Sequence, residues 1–281
     1  MKNYILYCVL VLGLLFGSCT DVIELDLPVA SPRLVIEASI DWQKETLGND
    51  QEIKLSLSSP FYDNLSRNPA TGAFVKIINN KNKSEVIFED QNNGSYTTSE
   101  FIAIMGQSYS LEVVYGGETY IATETMTPVP EITRVFQSTE NGFDKNALEL
   151  NLVFNDPIDE TNFYLSKFQR RGDLLPTLFD INDEFTNGNE INIIYEKINN
   201  DTTGEKEFVP GDIVDMSLYG ISEQYFNYIR LLIQQSGSLG GPFSTIPAEI
   251  KGNCINISKP DNYAFGYFRL AEVNNRVYTF Q

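Results

Sequence analysis

The chain has 281 residues, 42% of them hydrophobic, and carries 38 acidic against 20 basic residues for a net charge of −18. A surface of that sign, with no basic patch to offset it, repels phosphate backbones and excludes nucleic-acid binding; it also repels an anionic membrane surface. There is no histidine, which excludes Ser-His-Asp and Cys-His nucleophilic sites, histidine acid–base chemistry and histidine-held zinc or iron.

Residues 4–16 are almost wholly apolar, follow Lys2 and stop at Gly17-Ser18-Cys19. About 13 apolar residues fall short of the roughly 20 that span a bilayer. A charged start, an apolar middle and small residues before a cut are the parts of a secretory signal. A cysteine at the next position points to the bacterial lipoprotein variant. Residues 1–18 are then removed, Cys19 carries the lipid, and 19–31 form a tether to the membrane. Each buried acyl CH₂ adds about 0.8 kcal/mol, and more than one chain anchors stably. Of the three cysteines, Cys8 leaves with the signal and Cys19 is acylated. Cys254 remains alone, so the mature chain holds no intramolecular disulfide and depends on packing.

From residue 33 to 125 the sequence reads as short strands. Leu34 to Ile40 opens the series, and Ile53-Lys54-Leu55-Ser56-Leu57-Ser58 alternates with the period of a half-buried strand. Phe74 to Ile78, Val86 to Phe88 and the segment after Asn93-Gly94 follow. Tyr109 to Tyr115 and Glu118 to Ala122 flank Gly116-Gly117, a pair that accepts the positive φ of a tight hairpin. This density of strands predicts an immunoglobulin-like or transthyretin-like sandwich over 32–127. Pro128 and Pro130 hold the chain extended and mark 128–131 as a linker. A second β-rich domain is expected over 132–281, with strands near 148–154, 163–168, 191–195, 213–218, 264–271 and 277–280. Ser222 is a good N-cap, and apolar residues from Tyr225 to Ile233 recur at helical spacing. One packed helix is therefore predicted near 222–235. The fold class is mainly β.

Few residues carry the marks of a site. Asp180, Asn182 and Glu184 alternate as oxygen ligands of a calcium loop do, but Phe185 stands where such a loop needs glycine. A solvated turn is the favoured reading, and no metal or cofactor is expected. Trp42, the only tryptophan, could stack on a sugar face, although a core or edge role is commoner for an isolated tryptophan. No catalytic residue stands out.

The order of landmarks resembles one family. Leu25-Asp26-Leu27-Pro28 after Cys19, Arg33-Leu34-Val35-Ile36-Glu37, Gly94-Ser95-Tyr96, Gly106-Gln107-Ser108-Tyr109, Gly252-Asn253-Cys254-Ile255 and Ala264-Phe265-Gly266-Tyr267-Phe268 follow in sequence. Together they are similar to the Bacteroidota-type lipoproteins of domain-of-unknown-function family 4249. The resemblance implies an outer-membrane lipoprotein, often encoded beside TonB-dependent receptors, with no established catalytic residues. Acidic residues after the lipidated cysteine, here Asp21, Glu24 and Asp26, resemble a signal for export to the cell surface. The expected function is a non-enzymatic accessory of a TonB-dependent transporter, held by its lipid in the outer membrane and facing the exterior. The alternative is a surface glycan-binding protein, or a glycan hydrolase working with two carboxylates.

Overall fold

The structure is a computed structural model that describes residues 31–59, 68–158, 160–200, 204–237 and 250–281. Cys19, Asp21, Glu24 and Asp26, with the signal and nearly all of the tether, lie outside the described residues. Residues 32–281 form one compact unit.

The first part of the chain builds β1 (Leu34–Gln43), β2 (Gln51–Leu57), β3 (Asn68–Pro69), β4 (Phe74–Asn79), β5 (Glu85–Asp90), β6 (Ser95–Thr98), β7 (Ser108–Tyr115) and β8 (Glu118–Thr125). The second builds β9 (Ile132–Ser138), β10 (Glu149–Asn155), β11 (Phe163–Arg170), β12 (Thr177–Asn182), β13 (Glu190–Glu196) and β14 (Ile213–Ile221). Helix α1 (Glu223–Gly237), β15 (Ile255–Asn256) and β16 (Phe265–Thr279) complete it. The main sheet runs β12-β11-β14-β16-β1-β2-β6-β5-β4-β7-β8-β15, and a separate sheet runs β13-β10-β9.

The long sheet curls on itself to make the first sandwich. β5 turns the corner: Glu85 to Phe88 pair with β4, while Glu89 and Asp90 pair with β6. Period-two patterning then sends Ile36, Ala38 and Ile40 of β1 and Ile53 and Leu55 of β2 inward. They meet Val75, Ile77, Leu111, Val113 and Tyr120 from the facing strands in one buried cluster. A second cluster lies between the β12-β11-β14-β16 end of the long sheet and the β13-β10-β9 sheet. There Leu150, Leu152 and Phe154 face Tyr164, Phe168, Met216 and Leu218.

The division expected at 128–131 marks where the chain leaves the first cluster, but the chain later returns. Cys254, Ala264, Phe268 and Leu270 all belong to that first cluster. The segments expected as separate strands at 264–271 and 277–280 are one 15-residue strand. Its first half pairs in parallel with β1, from Val35 opposite Phe265 to Gln43 opposite Val273. Its second half pairs antiparallel with β14, from Tyr219 opposite Val273 to Ile213 opposite Thr279. The connection over 128–131 is tightly held: any side chain at Gly220 would overlap the Pro128 carbonyl.

The helix forms as its sequence predicts. Ser222 Oγ accepts from the Tyr225 N–H at 3.1 Å, which is the N-cap bond. Its buried residues Tyr225, Phe226 and Ile229 cover Leu165, Tyr219, Tyr267 and Val273 on the outer side of the sheet. The turn expected at Asp180 and Asn182 is corrected: both stand in β12, paired with Leu165 and Phe163 of β11. An extended strand sends alternate side chains outward in a line and cannot wrap them around a cation.

Candidate functional site

At one end of the second sandwich three loops and the chain terminus come together. They are 139–148 between β9 and β10, 171–176 between β11 and β12, and the β13–β14 connection, of which 197–200 and 204–212 are described. Their tips carry large apolar side chains in water: Phe143 is 95%, Leu174 93% and Leu175 75% exposed. Beneath them Phe168, Tyr195, Phe208 and Phe280 form a run of ring contacts, with Phe208 and Phe280 stacked at 4.5 Å.

Charges brace these loops against one another. The Arg170 guanidinium donates to Asp173 Oδ1 at 3.0 Å and to the Lys206 carbonyl at 3.0 Å. Lys197, itself buried, bonds Asp173 Oδ2 at 3.0 Å and Glu205 Oε1 at 2.7 Å. Burial pushes the Asp173 carboxyl up, but Lys197 and Arg170 outweigh it and hold the group below the ordinary value. One carboxylate thus ties strand end, hairpin and long connection together.

The 139–148 loop is clamped differently. Glu149 and Glu196 stand opposite each other across β10 and β13, an arrangement that like charges disfavour. The loop backbone supplies the compensation. Glu149 Oε1 accepts from Asn141 N at 2.9 Å, and Glu196 accepts from Phe143 N at 2.8 Å and Asp144 N at 2.9 Å. Burial raises the Glu149 pKa, and the bonds from Asn151 and the loop backbone bring it below the usual carboxylate range. A side chain at Gly142 would press on both carboxylates, so glycine there lets the loop pack closely over them. This is the nearest approach to the paired acids that a glycan hydrolase needs. Three of its four oxygens accept from the loop's own backbone, and the fourth, Glu149 Oε2, is buried without a hydrogen-bond partner.

Glu124 is a carboxylate whose pKa is pushed up, by burial first; bonds from Thr125 N, Ser222 and Tyr267 oppose the rise. Its named partners are hydroxyls and an amide, not a second acid. An open acidic groove of about 730 Å³ runs between Asp50, Glu52, Glu89 and Glu100 on the first sandwich. Ser95 and Lys54 hold Glu52 below its ordinary pKa against a smaller burial effect, which suits an ionised surface group and not a proton donor.

The sequence-predicted residues do not converge. Trp42 is half-buried against the first core, its Nε1 donating to the Thr46 carbonyl at 2.8 Å. Gly48 lies against its ring so closely that no side chain fits between them. Asp180 Oδ2 faces Arg230 Nε at 3.6 Å, and Glu184 sits in the following turn. Among the described residues no three acidic or cysteine side chains are grouped as a metal requires. Cys254 is a buried free thiol whose pKa burial pushes up to about 12, so it stays protonated and inert. Sequence reasoning passed over the loop tips. The signal was present in Gly142-Phe143-Asp144 and Gly172-Asp173-Leu174-Leu175-Pro176, where large apolar residues interrupt turn-forming runs.

Comparison with known proteins gives a family without an assigned activity. The profile of the domain of unknown function DUF4249 matches residues 20–276. No curated protein matches. Among solved structures, a two fibronectin type-III domain segment of chicken tenascin is 10% identical with a TM-score of 0.22, covering 69% of this chain and 89% of that one. The chicken CNTN1 FN1–FN3 domains are 10% identical at a TM-score of 0.26, covering 69% and 62%. A DUF4785 family protein from Legionella pneumophila is 10% identical at 0.26, covering 66% and 51%.

Proposed function

The chain belongs to the DUF4249 family, and from that premise we propose that it is a lipid-anchored outer-membrane lipoprotein, facing the cell exterior, that serves a TonB-dependent nutrient transporter as a non-enzymatic binding partner. The observation that carries this reading is the braced apolar tip. Exposed Leu174 and Leu175 sit on a loop cross-linked by ion pairs, and exposed Phe143 sits on a loop whose backbone is clamped by Glu149 and Glu196. Rigid presentation of large apolar side chains lowers the entropy cost of association and is what a protein-binding hot spot requires. The tip also lies at the far end of β16 from the point where the chain enters the unit. Arg33, where the chain enters the unit, lies at the Phe265 end of β16, and the tip lies at its Thr279 end. A 15-residue strand separates them, roughly 45 Å at strand rise.

The test is co-purification from gently solubilised outer membrane, with Cys19→Ala as the unanchored control. A TonB-dependent receptor should come down in stoichiometric amount with the native chain, and the Phe143→Glu, Leu174→Glu double variant should lose it while remaining folded. If the native chain comes down alone, or the double variant retains its partner, the accessory role at this tip is wrong.

A further inference from the structure

The end of the molecule opposite the tip has a different surface. Ile255 on β15 is 62% exposed and Ile257 just beyond it is 56% exposed. They point outward from an edge strand while Asn256 between them is buried, bonded to Glu118 Oε2 at 2.7 Å. Beside them stand three cations. Lys259 follows two residues after Ile257, its side chain 70% exposed. Arg33 lies 3.8 Å over the Tyr263 ring and Lys251 4.0 Å from the same ring. The patch is built, not incidental. Glu118 accepts from Lys259 at 2.8 Å and from Asn262 at 2.7 Å, and Arg33 donates to the Asp261 carbonyl at 3.0 Å.

This is also where the tether ends. The segment between Cys19 and Ser31 spans at most about 40 Å when extended, and it joins the folded unit at Arg33, inside the patch. We propose that this face seats on the lipid bilayer that holds the anchor, with Ile255 and Ile257 at the headgroup–acyl boundary and Arg33, Lys251 and Lys259 on lipid phosphates. Aliphatic side chains flanked by long cations and a tyrosine match the layering of that boundary, apolar below and charged above. The overall charge of −18 opposes contact with an anionic surface, so the orientation is selective: this end can approach and the acidic remainder cannot. Seating here stands the β16 axis away from the membrane and lifts the tip loops into solvent. The inference rests on the reading that Cys19 is lipidated.

The test uses the mature chain from position 19 with Cys19→Ser, which removes the lipid, and vesicles of phosphatidylcholine with or without phosphatidylglycerol. The chain should co-sediment with the vesicles containing phosphatidylglycerol. Ile255→Glu with Ile257→Glu should weaken that partition by about tenfold or more, since both apolar contacts are lost and like charge is added. Phe143→Glu at the far tip should leave it unchanged, and an unaltered melting curve excludes misfolding. No partition by the parent chain, or equal loss from base and tip variants, overturns the seat. Incorporation of labelled palmitate at Cys19 in cells tests the anchor separately. If labelling occurs without vesicle partition, the seat falls and the anchor stands; if partition occurs without labelling, the reverse holds.

Discussion

Glu118 shows how a single side chain fixes a whole corner. Its carboxylate accepts from Lys259, Asn262, Asn256 and Tyr120. These bonds, Lys259 first, lower its pKa from 4.5 to about 2 against a weaker burial effect. A carboxyl whose folded pKa lies below its unfolded one contributes stability that is fully present above pH 4.5 and is lost as the pH falls through about 2. Glu118→Gln should therefore be less stable than the parent at neutral pH, and the gap should narrow on acidification across that window. Urea midpoints measured at neutral pH and near pH 3 decide it; a gap that stays constant with pH would show that the ionised form contributes nothing. Little in Gly117-Glu118-Thr119 hints at this role, because three of the four partners, Asn256, Lys259 and Asn262, lie more than a hundred residues away in sequence. Local pattern reports which face a residue occupies, not which distant amide it meets.

Among elements, the helix and the half-buried strands were legible because their information is local. Ser222, Glu223 and the three-and-four spacing of Tyr225, Phe226 and Ile229 specify a capped amphipathic helix without reference to anything else. β16 was not legible as one strand. Its middle reads Arg269, Glu272, Asn274 and Asn275, polar residues that look like a break between two strands, yet burial is continuous from Tyr267 to Asn274. The buried polar side chains Arg269, Glu272 and Asn274 each meet a neighbour, although Arg269 Nε stays unpaired. Arg269 pairs with Asp41 and lies 4.7 Å from the Tyr219 ring and 5.1 Å from that of Tyr225. Glu272 accepts from Val129 N at 2.9 Å, and Asn274 donates to Glu131 at 3.0 Å. β12 was hidden for a related reason, since Asp180 and Asn182 suggest a loop until β11 is beside them. The β16 seam predicts a large effect from a small change. Asp41→Asn leaves Arg269, 5% exposed, without its counter-charge, at a cost of about 3–5 kcal/mol. Thermal melting should fall accordingly, while Glu37→Gln on an exposed position of the same strand should change little; equal effects would mean that the Asp41–Arg269 pair is not the cause.

At the scale of the whole molecule, two cores could mean two independently folding halves, and the prolines at 128 and 130 favoured that division. The strand connectivity argues otherwise. β16 supplies Phe268 and Leu270 to the first core, while Tyr278 packs against the second, and it carries the hydrogen bonds that complete both β1 and β14. Unfolding the first sandwich alone would strip β1 from β16 and expose the buried Arg269 and Glu272. Unfolding the second alone would leave half of a continuous strand without a partner. Either intermediate leaves buried polar and backbone groups unpaired, each a penalty of about 1–3 kcal/mol, so both should be sparsely populated. Trp42 gives a clean probe, because the chain's one tryptophan packs against the first core only. Urea unfolding followed by its fluorescence should coincide with unfolding followed by far-ultraviolet circular dichroism, which reports strands of both sandwiches. A tryptophan transition displaced from the dichroism transition would mean that the halves unfold separately and that β16 does not couple them. Coincidence would mean that the two sandwiches unfold as one cooperative body, joined along a single strand.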